Sequence, residues 1–267
     1  MGVVISNISA IFRKELQSYF ASPLAYVVSG VFWLISGLFF VVILLDPTEG
    51  LIHYAAQLDQ LGEQAPPLDV AYEFLRAFLG VIGQLVMFVL PILSMGLYAE
   101  ERKRGTLELL ATSPVTNWSV AVGKLLGVLA FFTFMILPLF IYELVAFSAA
   151  NPPVQIGVPL LAHAGLILLA ASILALGMFV SSLTDSSILA SILTFALVLF
   201  LWIIDLIADN MGGIIGEALG HLSLLEHYNN LLNGALDTSS IILFVSYIIL
   251  GIFMTAQSID SWRFGSS

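Results

Sequence analysis

The stretch YAEERKRGTLELLATSPVTNW, residues 98–118, separates two long apolar runs and contains the densest cluster of positive charge in the chain. Three of the eight basic residues follow one another at positions 102–104. A helix-prone segment, Thr106–Ala111, comes next and is followed by the break Ser113-Pro114. A charged elbow this short between apolar runs must lie at a membrane surface, and its basic residues indicate the cytoplasmic side. We interpret it as a docking element on which a cytoplasmic partner acts.

The composition around this elbow is that of an integral membrane protein. Of the 267 residues, 60% are hydrophobic and only 10% are charged, whereas soluble domains contain roughly 25% charged residues. The apolar runs are long and continuous, which predicts an all-α membrane protein and not a β-barrel. There is no cysteine, which excludes disulfides and thiolate metal sites. The net charge of −10 does not suggest nucleic-acid binding.

Six apolar runs predict membrane-spanning helices at about residues 24–45, 77–98, 119–147, 159–181, 187–207 and 239–257. An even number of spans puts both termini on one side of the membrane. Seven of the eight basic residues fall on that side, at positions 13, 14, 102, 103, 104, 124 and 263. We therefore predict a multi-pass protein of the inner (plasma) membrane with both termini cytoplasmic.

Residues 1–22 have the pattern of an amphipathic interfacial helix. Apolar residues recur every three or four positions between Val4 and Phe20, and polar residues occupy the other positions. Arg13, Lys14 and Glu15 interrupt the segment, so it is not expected to be a cleavable signal. Such a helix lies in the inner interface, either as a simple basic anchor or with its basic face toward a partner. The remainder, 23–260, is predicted to be one six-span domain.

Two outer segments flank the spans. The 46–76 loop is acidic and broken by prolines. The second, 208–238, is moderately apolar but contains five glycines and several polar residues, among them Glu217 and Glu226. We predict short helices in the outer leaflet for this broken segment, because irregular backbone at that depth needs protein or water around it. It is expected to form a lid over the translocation path; an ordinary solvated loop is the alternative.

The sequence contains none of the common catalytic or nucleotide-binding motifs. GxxxxGK[ST], HExxH and GxSxG are all absent. His221 and His227 are six residues apart, which is a poor spacing for one helical face, so we expect no metal site. No cofactor is predicted, and the chain by itself is not expected to be an enzyme.

Several intramembrane residues have more than one interpretation. Glu143 and Asp205 lie near the outer ends of their spans, where each is either solvated at the interface or engaged in a cavity or helix contact. His163 is expected to be interfacial as well. Lys124 is expected to extend its ammonium to the inner surface.

Small residues and prolines within the spans suggest where helices pack or bend. The motif Gly123-x-x-x-Gly127 favours close helix packing, within the chain or between two copies. Pro91 in span two and Pro138 in span three are expected to kink their helices.

Three stretches and the order of the spans resemble a known family. They are FRKELQSYFASPLAYVV at 12–28, EERKRGTLELLATSPVTNWSVAVGKLLG at 100–127 and SLLEHYNNLLNGALDTSSI at 223–241. The chain resembles the ABC-2 type permeases, the membrane halves of ATP-binding-cassette exporters, and more narrowly the gliding-motility-type permeases. The resemblance covers essentially the whole chain.

The resemblance implies a dimer of permeases, homomeric or heteromeric, with two cytoplasmic ATPase subunits. An outer auxiliary protein is a further candidate partner. The loop 99–118 would contain the coupling helix between spans two and three. Residues expected to contact the ATPase are Glu100, Glu101, Arg102, Arg104, Gly105, Thr106, Glu108, Ser113 and Pro114. The alternative for this loop is that its basic residues anchor the fold to acidic lipid.

Two functions are compatible with these features. The leading one is an exporter permease that couples ATP hydrolysis by a separate ATPase to substrate movement. The competing one is a non-transporting membrane scaffold, in which the same ATPase drives assembly or mechanical work on outer partners. A transporter needs a cavity between spans two and five, for which Gln84, Phe88, Thr194 and Phe195 are candidates. Their mild polarity suits an amphiphilic or lipid-like substrate.

Overall fold

A computed structural model describes residues 2–61, 68–107, 115–148, 150, 153–211, 213, 216 and 220–265. Most of these residues are helical, and none of them lies in a strand. The helices are α1 (Gly2–Ala21), α2 (Pro23–Phe40, continued by a π-helical turn Val41–Leu45), α3 (Leu51–Leu61), α4 (Val70–Ser94), α5 (Gly96–Lys103), α6 (Asn117–Ile136), α7 (Leu139–Phe147), α8 (Gly157–Ser182), α9 (Ser187–Asn210), α10 (Leu224–Leu232) and α11 (Thr238–Gly265).

Six helical stretches in the described part of the chain are long and apolar enough to cross a membrane, as predicted. They are Pro23–Leu45, Val70–Lys103, Asn117–Phe147, Gly157–Ser182, Ser187–Ile204 and Thr238–Ser261. Spans two and three each consist of two helices, α4–α5 and α6–α7. The most deeply buried span is α8, which contacts α4, α6, α9, α10 and α11 and forms the centre of the bundle.

Span two begins earlier than its apolar run suggested. We predicted its start at residue 77, but α4 begins at Val70 because the Asp69 side chain accepts a hydrogen bond from the Tyr72 N–H at 3.0 Å. This cap satisfies one of the N–H groups that the first turn of a helix leaves unpaired. The next turn contains Glu73 and Arg76 on an exposed face, 3.6 Å apart. Paired charges therefore extend the helix beyond the apolar segment.

The two prolines act differently. Pro138 interrupts span three between α6 and α7, as expected for a residue that cannot donate a backbone hydrogen bond. In contrast, α4 continues through Pro91, and span two breaks at Met95 instead.

The N-terminal helix packs closely on α6. A Cβ atom at Gly123 would lie 2.8 Å from Ile11 Cβ, and one at Gly127 would lie 2.6 Å from Glu15 Cβ. Only glycine at these positions permits such a close approach, so the motif in α6 packs within the chain. Farther along, the rings of Tyr19 and Phe131 stack at 5.2 Å. The apolar stripe of α1 therefore follows α6 in the same direction, and is not free to face lipid along its whole length.

The outer segment contains the predicted short helix. Six of the nine residues of α10 are buried against the spans: Leu224, Leu225, His227, Tyr228, Leu231 and Leu232. Tyr228 is fully buried, and its hydroxyl donates to Leu79 O of α4 at 2.7 Å. Its ring occupies space that a side chain at Gly83 would fill, because a Cβ there would lie 2.4 Å from the ring. The helix is thus inserted between α4 and α8 and is not a solvated loop. Glu217 lies outside the described residues.

Candidate coupling surface

The charged elbow is built on a well-defined helix end. Gly105 has a φ of +68° and terminates α5. The Thr106 N–H donates to Glu101 O at 3.0 Å and the Gly105 N–H to Arg102 O at 3.1 Å, which is a Schellman motif. The chain therefore turns sharply at Gly105. Glu108, Ser113 and Pro114, together with most of the predicted helix Thr106–Ala111, lie outside the described residues.

The outer face of this helix end is exposed. Glu100 and Arg104 form an ion pair at 3.2 Å with side chains 51% and 73% exposed, respectively. Lys103, Gly105 and Thr106 are exposed as well. Such a solvated pair contributes little to stability, so these groups can exchange it for contacts with a partner.

A groove runs beside this exposed face. It has a volume of about 410 Å³ and lies between α1, α2 and the α4–α5 junction. Ser18, Tyr19 and Ile92 are among its lining residues, and Glu100 and Arg104 line it as well. The elbow thus presents a concave surface as well as a charged edge.

Glu101 lies on the opposite, inner face of α5. Its carboxylate is 3.0 Å from the ammonium groups of both Lys124 and Lys14, and its side chain is only 15% exposed. Lys124 also pairs with Glu15 at 2.6 Å. The four residues form one network, which we call the charged cluster, and it connects α1, α5 and α6.

The charged cluster changes two expectations. Lys124 is only 2% exposed and does not reach the inner surface, so that expectation was wrong. Two carboxylates hold its ammonium inside, and the ring of Tyr98 lies 5.0 Å from it. Glu101 was expected to contact the ATPase, but its carboxylate is engaged within the protein. Lys14 lies at the exposed edge of the charged cluster. Burial lowers the pKa of Lys14, but the hydrogen bond and the negative charge of Glu101 raise the pKa of Lys14 by more, so it is raised overall.

Serines at the end of α8 hold the other side of α5. The break at Met95 leaves N–H groups at the start of α5 without helical partners. Ser181 Oγ accepts from the N–H groups of Tyr98 and Ala99 at 3.1 and 3.0 Å and donates to Met95 O at 2.7 Å. Arg102 donates to Ser182 O at 3.1 Å. Sequence analysis missed Ser181, because one serine in an apolar helix has no pattern that separates it from other serines.

The predicted cavity residues are only partly brought together. Phe88 of α4 and Phe195 of α9 have ring centroids 5.4 Å apart, and Gln84 is exposed on the same helix as Phe88. Thr194 is fully buried instead, and its γ-methyl packs where a side chain at Gly177 would lie. It therefore faces α8 and does not line the surface that Phe88 shares with Phe195.

The three helices α4, α8 and α9 leave almost no open space between them in a single chain. The cleft lined by Met87, Ile173, Val198 and Leu224 has a volume of about 10 Å³. This is about the space of one water molecule. Leu224 belongs to α10, so the outer helix lines one wall of the cleft. A substrate path through this region requires movement of these helices or a second copy of the chain.

The remaining polar candidates lie elsewhere. Glu143 and His163 are buried, with 2% and 4% exposure. The expectation that His163 is interfacial was therefore wrong, and Glu143 takes the helix-contact alternative. The side chain of Asp205 lies outside the described residues. Within the part of the chain that the structure describes, no group of three or more histidine and carboxylate residues could hold a metal ion.

Comparison with known proteins supports the resemblance seen in the sequence. The family model described as "ABC-2 family transporter protein" matches residues 9–262, which is nearly the entire chain. No curated protein matches the sequence.

Proposed function

Because the chain belongs to the ABC-2 family of transporter proteins, we propose that it couples ATP hydrolysis by a separate cytoplasmic ATPase to substrate movement. The family and the six spans make it a multi-pass membrane protein and a permease component of an ABC system. Hydrolysis is assigned to the ATPase, and a second permease copy completes the transporter. The narrower placement among gliding-motility-type permeases remains a prediction, as does an outer auxiliary protein.

The arrangement of α5 is the observation that supports coupling most strongly. One face of this helix is exposed and charged, and the other is fixed to α1, α6 and α8 by the charged cluster and by Ser181 and Ser182. A partner that moves the elbow therefore cannot move it alone. The displacement is passed to three helices at once, including α8 at the centre of the bundle.

This arrangement suggests how ATP drives the permease. Closure of the ATPase pair displaces the elbow, and the break at Met95 lets α5 tilt without bending α4. The spans then shift between two packed arrangements, which is a gating transition driven by differential contacts in two states. A lipid anchor at the elbow would require only the exposed basic residues, not the internal attachments.

The outer end of the bundle completes this proposal. The helix α10 lies against α4, α8, α9 and α11, above the surface shared by Phe88 and Phe195. We assign to it the role of a lid that closes the path in the resting state. The aromatic, weakly polar surface below it suits an amphiphilic substrate. The scaffold alternative is distinguished by measuring whether ATP turnover in vesicles moves any amphiphile.

The first prediction concerns orientation. Both termini and the elbow are expected in the cytoplasm, because six of the eight basic residues lie in those segments and a seventh, Lys124, lies near the same end of span three. The chain has no cysteine, so Ser113→Cys and Asp59→Cys each introduce a single label site. In intact cells, an impermeant thiol reagent should label the cysteine at 59 and not the one at 113. Labelling at 113 with none at 59 would reverse the orientation.

The second prediction concerns docking. Reversal of both Lys103 and Arg104, the exposed basic residues of α5 and its end, to glutamate should reduce ATPase co-purification and permease-stimulated ATP turnover several-fold. Each exposed contact contributes about 1 kcal/mol or less, and the introduced like charges add repulsion. The control is Arg76→Glu, which reverses an exposed arginine at the opposite end of span two. This control should leave both measurements unchanged. Wild-type values for the double variant and for Glu108→Lys would exclude the loop as the docking site.

A further inference from the structure

Two buried ionisable residues near the outer end of the bundle are not used by the coupling mechanism. Glu143 lies on α7, just beyond the break at Pro138, and His163 lies on α8. Glu143 Oε1 and His163 Nε2 are 3.4 Å apart, and both side chains are at least 95% buried. The ring of Phe140 stacks on the imidazole of His163, with the two ring centroids 4.1 Å apart.

With Glu143 ionised and His163 neutral, the contacts of the imidazole leave its second nitrogen, Nε2, facing the Glu143 carboxyl group without a hydrogen between them. His163 Nδ1 lies 2.9 Å from the carbonyl oxygen of Pro159, which can only accept, so Nδ1 carries a hydrogen. In a neutral ring, Nε2 then has a lone pair and faces Glu143. An ionised carboxylate is also an acceptor, so two acceptors would face each other away from water, which is unfavourable.

Neither the other tautomer nor a neighbouring side chain removes this conflict. With the hydrogen on Nε2, the lone pair of Nδ1 would face Pro159 O at 2.9 Å. Among the described residues, neither Glu143 Oε1 nor His163 Nε2 has a hydrogen-bond partner. Tyr228 lies close enough to Glu143 for electrostatic interaction, but its hydroxyl donates to Leu79 O at 2.7 Å.

We propose that Glu143 and His163 form a buried proton-binding site. The pair holds one proton more than a carboxylate and a neutral imidazole, either on the Glu143 carboxyl or on Nε2. Either position provides a donor between the two atoms and satisfies Pro159 O as well. The bound proton thereby connects α7 to α8 next to α10. The proposal is independent of ATP coupling, because an ATP-driven permease requires no such site.

The test measures the protonation of both groups in the full-length permease in lipid nanodiscs at pH 7.5. At that pH a free glutamate, with a pKa of about 4.3, is ionised, and a free histidine, with a pKa of about 6.5, is mostly neutral. Infrared spectra with ¹³C-labelled glutamate report the carboxyl group, and ¹⁵N spectra of labelled histidine report the ring. The matched variant is Glu143→Gln, whose amide N–H donates to Nε2 without an extra proton.

The wild type should show either a protonated carboxyl band or an imidazolium signal, and Glu143→Gln should lose that signal while retaining its folded elution profile. His163→Gln identifies the ring signal as that of His163, and provides the same comparison if the first variant does not fold. A carboxylate beside a neutral imidazole would overturn the proposal. A protonated carboxyl beside an imidazolium would overturn it too, because the pair would then hold two extra protons.

Discussion

Replacement of Lys124 with methionine should lower the free energy of unfolding by about 3–5 kcal/mol, the loss typical when one partner of a buried ion pair is removed. The Lys124 side chain is 2% exposed and contacts both Glu15 and Glu101. Methionine fills similar volume, but it leaves Glu15 without its ion-pair partner and Glu101 with only Lys14. Denaturant unfolding in detergent measures the difference.

Two further variants make this prediction specific. Lys103→Met removes an exposed lysine of the same elbow and should change stability by less than about 0.5 kcal/mol. The double variant Lys124→Met with Glu15→Gln leaves one lysine and one carboxylate in the charged cluster, so it should recover much of the loss. Equal unfolding midpoints for Lys124→Met and Lys103→Met would show that the cluster does not stabilise the fold.

The second large effect is expected at Gly251 of α11. A Cβ atom there would lie 2.5 Å from the carbonyl carbon of Ala175 in α8 and 2.6 Å from its oxygen. These are backbone atoms of the central helix and cannot rotate away. Gly251→Ala should therefore force α11 from α8 and destabilise the protein by about 1–3 kcal/mol, the usual range for overpacking.

Gly30 of α2 provides the matched control. No heavy atom lies within 4 Å of a Cβ built there, so Gly30→Ala should instead stabilise the helix by about 0.5–1 kcal/mol. The two glycine-to-alanine changes are thus expected to have opposite signs in the same unfolding experiment. A shift of the same sign and size for both would mean that α8 and α11 do not approach as closely as described.

The spans were predictable because the bilayer itself imposes them. Crossing hydrocarbon requires about 20 apolar residues in a helix, and that length is visible in sequence. The break at Pro138 was predictable because proline restricts the backbone and lacks an N–H donor. A short helix in the segment 208–238 was predictable because that segment is too polar and too rich in glycine for a full span. Helix α3 was missed, because the sequence analysis saw only an acidic, proline-broken loop there.

Packing within the bundle was far less predictable. Lipid tails are as apolar as neighbouring helices, so hydropathy does not show which face of a helix meets protein. Lys124 illustrates the difficulty: from sequence it is a lysine near a span end, and only the fold places Glu15 and Glu101 around it. The motif at Gly123 was an exception, because small residues at a four-residue spacing directly indicate close approach.

The position of the candidate site was predictable from the sequence, but which of its side chains face outward and which face inward was not. The basic run at 102–104 indicated a cytoplasmic elbow, yet nothing in the sequence separates Glu100, which is exposed, from Glu101, which is turned inward. Adjacent residues on a helix point about 100° apart, so one outward and one inward carboxylate require a known helix orientation. That orientation is set by Ser181 and Lys124, both distant in sequence.

The central claim is that the elbow is where an ATPase engages the permease, and site-directed crosslinking tests it most directly. Lys103→Cys places one thiol on the exposed face of α5, and Asp59→Cys places one at the opposite end of the bundle. Each cysteine is unique, since the natural chain has none. A short bifunctional thiol–amine reagent is applied to the permease with its co-purifying ATPase. A crosslink from position 103 to the ATPase, and none from position 59, is the predicted result. A crosslink from position 59 with none from position 103 would contradict the account.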